Sequence, residues 1–285
     1  MNNLNFYLKN ARDSGHAIGH FNFATEDVLK AIVEASKETG AEAVMVGTSE
    51  GEVEFVGINE AVALVGALRK DHDYPIFLNA DHFKSFEKCK EAIDEGYDSI
   101  IIDASSLDLA GNIELTKKVV NYARSVNVDI SVEGEIGYLR GKSEIQNKVE
   151  ISPEDYTKPE EARQFVNETK VNRLAIVFGN IHGIVTEQEE KLDIEHLKVI
   201  VAAMPDVYYV LHGASGLKDQ DIRESIKAGI ANIHYNTELR VAYKAGIDKA
   251  IHDMPEESAP YKYLTSGAEE VKKVVVAKTT LFLGK

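Results

Sequence analysis

The chain has 285 residues, 44% of them hydrophobic, and a formal net charge of −15. That length can bury one large core, and the acidic balance excludes a nucleic-acid or anionic-membrane surface, both of which need clustered Lys and Arg. A single cysteine, Cys89, rules out an internal disulfide framework, and the lack of a long apolar run argues against a membrane span; a reducing, cytoplasmic setting is expected.

Gly15 to Phe23 reads as strand one, and Thr25 caps a helix with Val28, Ala31, Ile32 and Ala35 on one face. Ala43 to Gly47 is strand two, with Thr48 and Ser49 beyond it and a helix through Ala61, Leu64, Val65 and Leu68. Strand three starts at Pro75 and carries Ile76-Phe77-Leu78 into Asp81-His82; Ser85 caps the helix behind it, which buries Cys89. Ser99 to Ile102 is strand four, ending at Asp103, and Ile113 to Val126 is the next helix. Asp129 to Val132 is strand five and runs into Glu133-Gly-Glu135.

Gly137 to Pro159 shows neither period, which predicts a long loop of the kind used as a lid. Pro159 opens a helix to Lys170, and Leu174 to Val177 is strand six, followed by His182-Gly183. Asp193 starts a helix with Leu197, Ile200 and Val201 inward. Val207 to Leu211 is strand seven, ending in His212-Gly213-Ala214-Ser215-Gly216, with a helix from about Lys218. Ala231 to Ile233 is strand eight, leading through His234 to Asn236-Thr237, where Thr237 caps a helix to His252; Ala268 to Lys278 forms one more helix. Eight strand–helix alternations with short, continuously apolar strands predict the α/β class and a TIM (β/α)8 barrel with an extra C-terminal helix, a single domain over residues 1–285.

Barrel enzymes assemble their sites from the C-terminal ends of several strands. Here those ends carry Asn22, Thr48, Asp81-His82, Asp103, Glu135, His182, His212 and Asn236. Three imidazoles plus an open position is the ligand set of a catalytic zinc site, which singles out His82, His182 and His212. Asp103 and Glu135 read either as salt-bridge partners or as a second metal position beside the first. His72, His196 and His252 fall in or after helices and read as solvated; His16 and His20 read as packing residues. The glycine turns after His182 and His212, with Asn236-Thr237 opening the next helix, can cradle a phosphate on backbone amides, without basic side chains.

The segments NADHFKS, IDASS, SVEGEIG, FGNIHG, LHGASG and NTELR, in this order and spacing, resemble the class II, zinc-dependent ketose-bisphosphate aldolases that act on fructose or tagatose bisphosphate. The resemblance runs from GHAIGHFNF to the C-terminal helix. It implies His82, His182 and His212 as zinc ligands, Asp81 as the catalytic acid/base, and Asp103 and Glu135 as the alternate metal position. It also implies that Gly183, Gly213, Ala214, Ser215, Asn236 and Thr237 hold the dihydroxyacetone phosphate half; Asn22, Thr48 and His234, at other strand ends, are further substrate-binding candidates. Glu144 of the mobile loop would then exchange the carbon-bound proton.

Three segments depart from the pattern. His234 stands where the family has Asn, the loop reads Arg140-Gly-Lys-Ser-Glu144 one residue out of step, and the C-terminal segment offers Lys262 in place of arginine. That loss argues for a weakened preference for a second phosphate. The expected cofactors are Zn2+ and a monovalent cation, the expected partner is a sugar phosphate, and the expected assembly is a dimer or tetramer. The competing readings are an aldolase for a ketose 1-phosphate, a zinc-dependent hydrolase and a phosphosugar-binding barrel. A Schiff-base aldolase is disfavoured because no predicted strand core contains a lysine.

Overall fold

The computed structural model describes residues 2–285. Its barrel strands are β1 (Ile18–Asn22), β2 (Val44–Ser49), β3 (Ile76–Phe83), β4 (Ser99–Ile102), β5 (Ser131–Ile136), β7 (Arg173–Ile176), β9 (Tyr208–Leu211) and β10 (Ile230–His234). They close in the order β1-β10-β9-β7-β5-β4-β3-β2, and every pairing is parallel. Two further short strands, β6 (Gly141–Gln146) and β8 (His182–Val185), pair with each other outside the barrel.

The helices are α1 (Leu4–Asp13), α2 (Glu26–Glu38), α3 (Glu50–Val56), α4 (Ile58–His72), α5 (Phe86–Glu95) and α6 (Leu109–Val126). They continue with α7 (Pro159–Thr169), α8 (Ile194–Ala203), α9 (Asp219–Lys227), α10 (Thr237–Asp253) and α11 (Pro260–Phe282). The eight-stranded closed parallel barrel is thus a TIM fold. Its strands are buried on both faces, which is why they read as unbroken apolar runs rather than as alternation. No helix among the described residues is long and apolar enough to cross a membrane.

Several expectations need correction. The helix after strand two is two helices, because Gly57 takes φ +90° and breaks it. The stretch read as a loop contains β6, which pairs with a strand some forty residues later and is mostly exposed, so neither face carries an apolar period. Thr237 is the first residue of α10 and Asn236 is its N-cap, without a side-chain cap bond. The C-terminal helix is longer than its apolar pattern, running from Pro260 to Phe282, where Phe282 stacks on Phe21. An unforeseen α1 covers the opposite end of the barrel from the polar strand ends, with Leu4 and Leu8 packed on Ile18, Met45 and Phe77.

Candidate active site

The C-terminal strand ends open into a cavity of about 480 Å3. Asn22, Asp81, His82, Asp103, His182, Gly183, His212, Gly213, Ala214, Ser215, His234, Asn236 and Thr237 all line it. Thr48 does not. Side chains alternate along a strand, and on β2 it is Ser49 that faces the cavity, whereas the fully buried Thr48 hydroxyl lies 2.8 Å from Tyr97 OH. Glu144 is exposed on β6 and lies outside the cavity lining, to which β6 contributes Gly141 and Ser143 instead.

His82, His182 and His212 bring one ring nitrogen each within 4.8 Å of one another. His82, the penultimate residue of β3, takes φ +54°, a left-handed conformation uncommon for a residue with a Cβ and of a kind that clusters at functional sites. His212 Nε2 lies 2.6 Å from Glu133 Oε1. Because a carboxylate only accepts, the hydrogen-bond network assigns the proton to Nε2 and a lone pair to Nδ1. That Nδ1 sits 2.9 Å from His82 Nε2, while His82 Nδ1 faces Glu135 Oε2 at 3.4 Å and Asp103 Oδ2 at 3.6 Å. A proton between these two nitrogens makes the contact a hydrogen bond; once it leaves, the lone pairs of His82 and His212 converge with the nearby His182 ring nitrogen, so the donor set fits a metal. Glu135 Oε2 is buried without a hydrogen-bond partner, and His82, Asp103 and Glu135 form a second possible group, which fits an alternate metal position.

The electrostatics differ from ring to ring. Burial lowers the His182 imidazole, the neighbouring His82 and His212 lower it further, and it falls to about 3, so it stays neutral and free to ligate. Burial also depresses His82, but the carboxylates of Asp81, Asp103 and Glu135 outweigh it and hold the ring well above the usual range. Burial pushes Asp81 up, yet His82, His20, His212 and the Asn22 amide prevail and bring it to about 2. Asp81 is therefore a carboxylate at neutral pH. Its Oδ2 accepts from Asn22 Nδ2 at 2.8 Å, and its Oδ1 is buried without a partner, 3.4 Å from His234 Nδ1.

A polar plug beneath the cavity escaped the sequence reading. Arg173 on β7 is fully buried and pairs with Glu133, its register partner on β5. Glu133 and Glu135 are two apart on one strand and so share a face, a signal that could have drawn attention to the first as well as the second. His20 is buried in the same plug, stacked 3.7 Å from His234, whose ring stacks 4.2 Å from His212. His196 is not solvated: its Nε2 lies 2.7 Å from the Thr157 carbonyl. Lys262 is tied to Glu257 and Arg140 to Asp155, both outside the cavity. The cations that do line it are Lys84 and Arg240.

β6 lies as a flap against β8, the strand that His182 opens. Gly141 is in register with His182, Gln146 Nε2 donates to the His182 carbonyl at 2.8 Å, and Ser143 Oγ lies 3.1 Å from Thr237 Oγ1 and bonds Arg240.

A TIM barrel with three converging histidines and neighbouring carboxylates at the C-terminal strand ends is the architecture of a metal-dependent barrel enzyme. The profile of the class-II fructose-bisphosphate aldolases matches residues 2–285. The chain belongs to that family and is a class II aldolase, an aldehyde-lyase of a generally metal-dependent kind. It is 35% identical over 278 residues to a fructose-bisphosphate aldolase of Staphylococcus epidermidis, covering 96% of this chain and 94% of the relative. The crystal structure of the YdjI aldolase from Escherichia coli K12 superposes with a TM-score of 0.84 at 29% identity, covering 99% of this chain and 97% of that one. The fructose-bisphosphate aldolase of Campylobacter jejuni shares the fold, with a TM-score of 0.80 at 21% identity and coverage of 96% and 92%.

Proposed function

We propose that this chain, acting as one catalytic domain, is a zinc-dependent aldolase. It reversibly cleaves fructose or tagatose 1,6-bisphosphate to dihydroxyacetone phosphate and glyceraldehyde 3-phosphate. In keeping with the family, a cytoplasmic dimer or tetramer aided by a monovalent cation is part of the proposal. The observation that carries it is the convergence of one ring nitrogen each from His82, His182 and His212 within 4.8 Å of one another, with Asp81 next to His82 in the chain.

His82, His182 and His212 would hold the zinc, which supplies a Lewis acid for the negative charge that develops on the ketone oxygen as the carbon–carbon bond breaks. Asp81, ionised and held on one oxygen by Asn22, takes the C4 hydroxyl proton in cleavage on its free oxygen and returns it in condensation. His234 lies beside that oxygen and Asn236 Oδ1 is buried without a partner, so both are placed to take up sugar hydroxyls. Backbone amides of Gly183 and Gly213 to Ser215, with the Thr237 hydroxyl, receive the dihydroxyacetone phosphate end. The second phosphate falls to Arg240, which provides the guanidinium missing from the C-terminal segment. Exchange of the carbon-bound proton falls to Glu144, and this requires β6 to shift, because its side chain is exposed.

A coupled assay with fructose 1,6-bisphosphate, tagatose 1,6-bisphosphate and fructose 1-phosphate tests the reading. Cleavage of at least one bisphosphate, faster than of the 1-phosphate, is expected. No release of dihydroxyacetone phosphate from any of the three would overturn it.

A further inference from the structure

Arg173 sits at the centre of the barrel with no solvent exposure, and all five of its N–H groups are engaged. Nε donates to Ser131 Oγ at 3.2 Å, Nη1 to Glu133 Oε2 and to Asn232 Oδ1 at 3.1 Å, and Nη2 to Ser99 Oγ and to Asn79 Oδ1 at 3.1 Å. An apolar side chain would fill such a core at lower cost, because a buried ion pair recovers its desolvation only with complete hydrogen bonding. The need for a cation comes from Glu133. Its second oxygen, Oε1, is the acceptor for His212 Nε2.

We infer that Arg173 is a positioning residue for the metal centre: by occupying Oε2 of Glu133 it leaves Oε1 to His212 and fixes the tautomer that presents Nδ1 to the metal. The inference rests on reading His82, His182 and His212 as metal ligands. A lateral route reinforces it. With its Oδ1 held by Arg173, Asn79 turns its amide nitrogen to His20 Nε2 at 3.0 Å, and the His20 ring backs the His234–His212 stack. Arg173 therefore reaches one ligand along its hydrogen bond and along its ring face. Groups of this kind beyond the ligands orient them and set their basicity.

The test is zinc affinity of the full chain, measured by competition with a chromophoric chelator, together with 15N shifts of the His212 ring in the metal-free protein. Arg173→Met should weaken zinc binding by about 10- to 100-fold, as loss of such a partner does elsewhere, and should turn a single Nε2–H tautomer into a mixture. Arg173→Lys keeps the charge but not the fork and should fall between, which carries the test if Arg173→Met does not fold. Ser131→Ala removes the Nε bond and the Ser131 Oγ donation to Asn5 Oδ1 but leaves the Glu133 pairing intact; it should lower stability and leave zinc affinity and the tautomer unchanged. Wild-type affinity in the folded Arg173 variants, or equal weakening in Ser131→Ala, would overturn the inference. A wild-type protein that binds no zinc would instead remove the metal reading beneath it.

Discussion

Gly183 joins the histidine cluster to the flap that covers it, and Gly183→Ala tests whether that contact matters. The residue has φ +93°, and a Cβ there would lie 2.2 Å from the Lys142 carbonyl oxygen and 2.3 Å from that of Glu144. Both are backbone atoms of β6, so no rotamer change relieves the clash. A tolerable carbon–oxygen contact is about 3.3 Å, and β6 must therefore retreat by about 1 Å. The bonds that fasten the flap, His182 N to Arg140 O at 2.8 Å and Thr186 N to Gln146 O at 3.0 Å, would stretch with it. Left-handed strain of about 1–2 kcal/mol and two weakened hydrogen bonds at about 1 kcal/mol each sum to about 3–4 kcal/mol against the closed flap. The variant should keep its zinc and its fold, exchange the amide hydrogens of residues 141–146 much faster, and lose about 10²-fold in kcat/KM, the effect of a misplacement of about 1 Å near the chemistry. Wild-type activity with unchanged exchange protection would refute the reasoning, because it would mean that β6 is not part of the working site.

Three further outcomes follow from the geometry. Asp81→Asn preserves shape and the neighbouring imidazoles, so metal analysis should find zinc retained while cleavage falls by about 10²- to 10⁴-fold; full activity would refute the role of Asp81. Arg240→Met should lower kcat/KM for fructose 1,6-bisphosphate by about 1–3 kcal/mol of transition-state binding and affect fructose 1-phosphate much less; equal losses on both would place Arg240 elsewhere. Glu190 is 7% exposed with neither carboxylate oxygen partnered, and burial raises it to about 8. The unfolded chain ionises this group near pH 4.3 while the folded chain retains the proton, so stability drains away as pH rises between those values. Denaturation curves should therefore find Glu190→Gln level with wild type at pH 4 and ahead by about 3 kcal/mol at pH 7, and a constant offset would contradict the assignment.

The barrel and its cluster of histidines were legible because buried parallel strands announce themselves as apolar runs and the polar residues that end them have few structural reasons to be there. His82, His182 and His212 stand out on that ground, and the glycines behind them mark close approach of backbone. Thr48 was misplaced by one residue, since a strand end read to within a residue leaves the parity of its side chains open. β6 was invisible because an exposed strand paired across forty residues has no face to pattern. Arg173 and Glu133 were missed for a different reason. Their charges are satisfied by residues on three other strands as well as by each other, and only register brings Arg173 opposite Glu133. The guanidinium sought in the C-terminal segment lines the cavity from α10 instead, as Arg240.

The central claim is that metal held by the three histidines, and no imine, carries the chemistry. No barrel strand contains a lysine, and Lys84, which lines the cavity, lies beyond the end of β3. The direct measurement is cleavage of the bisphosphate substrate before chelation, after chelation and after titration with zinc. Activity should vanish with the chelator and return in proportion to zinc, saturating at one bound ion per chain, with borohydride and substrate leaving the protein unlabelled. Cleavage that survives metal removal, and that borohydride with substrate abolishes by labelling a lysine, would contradict it.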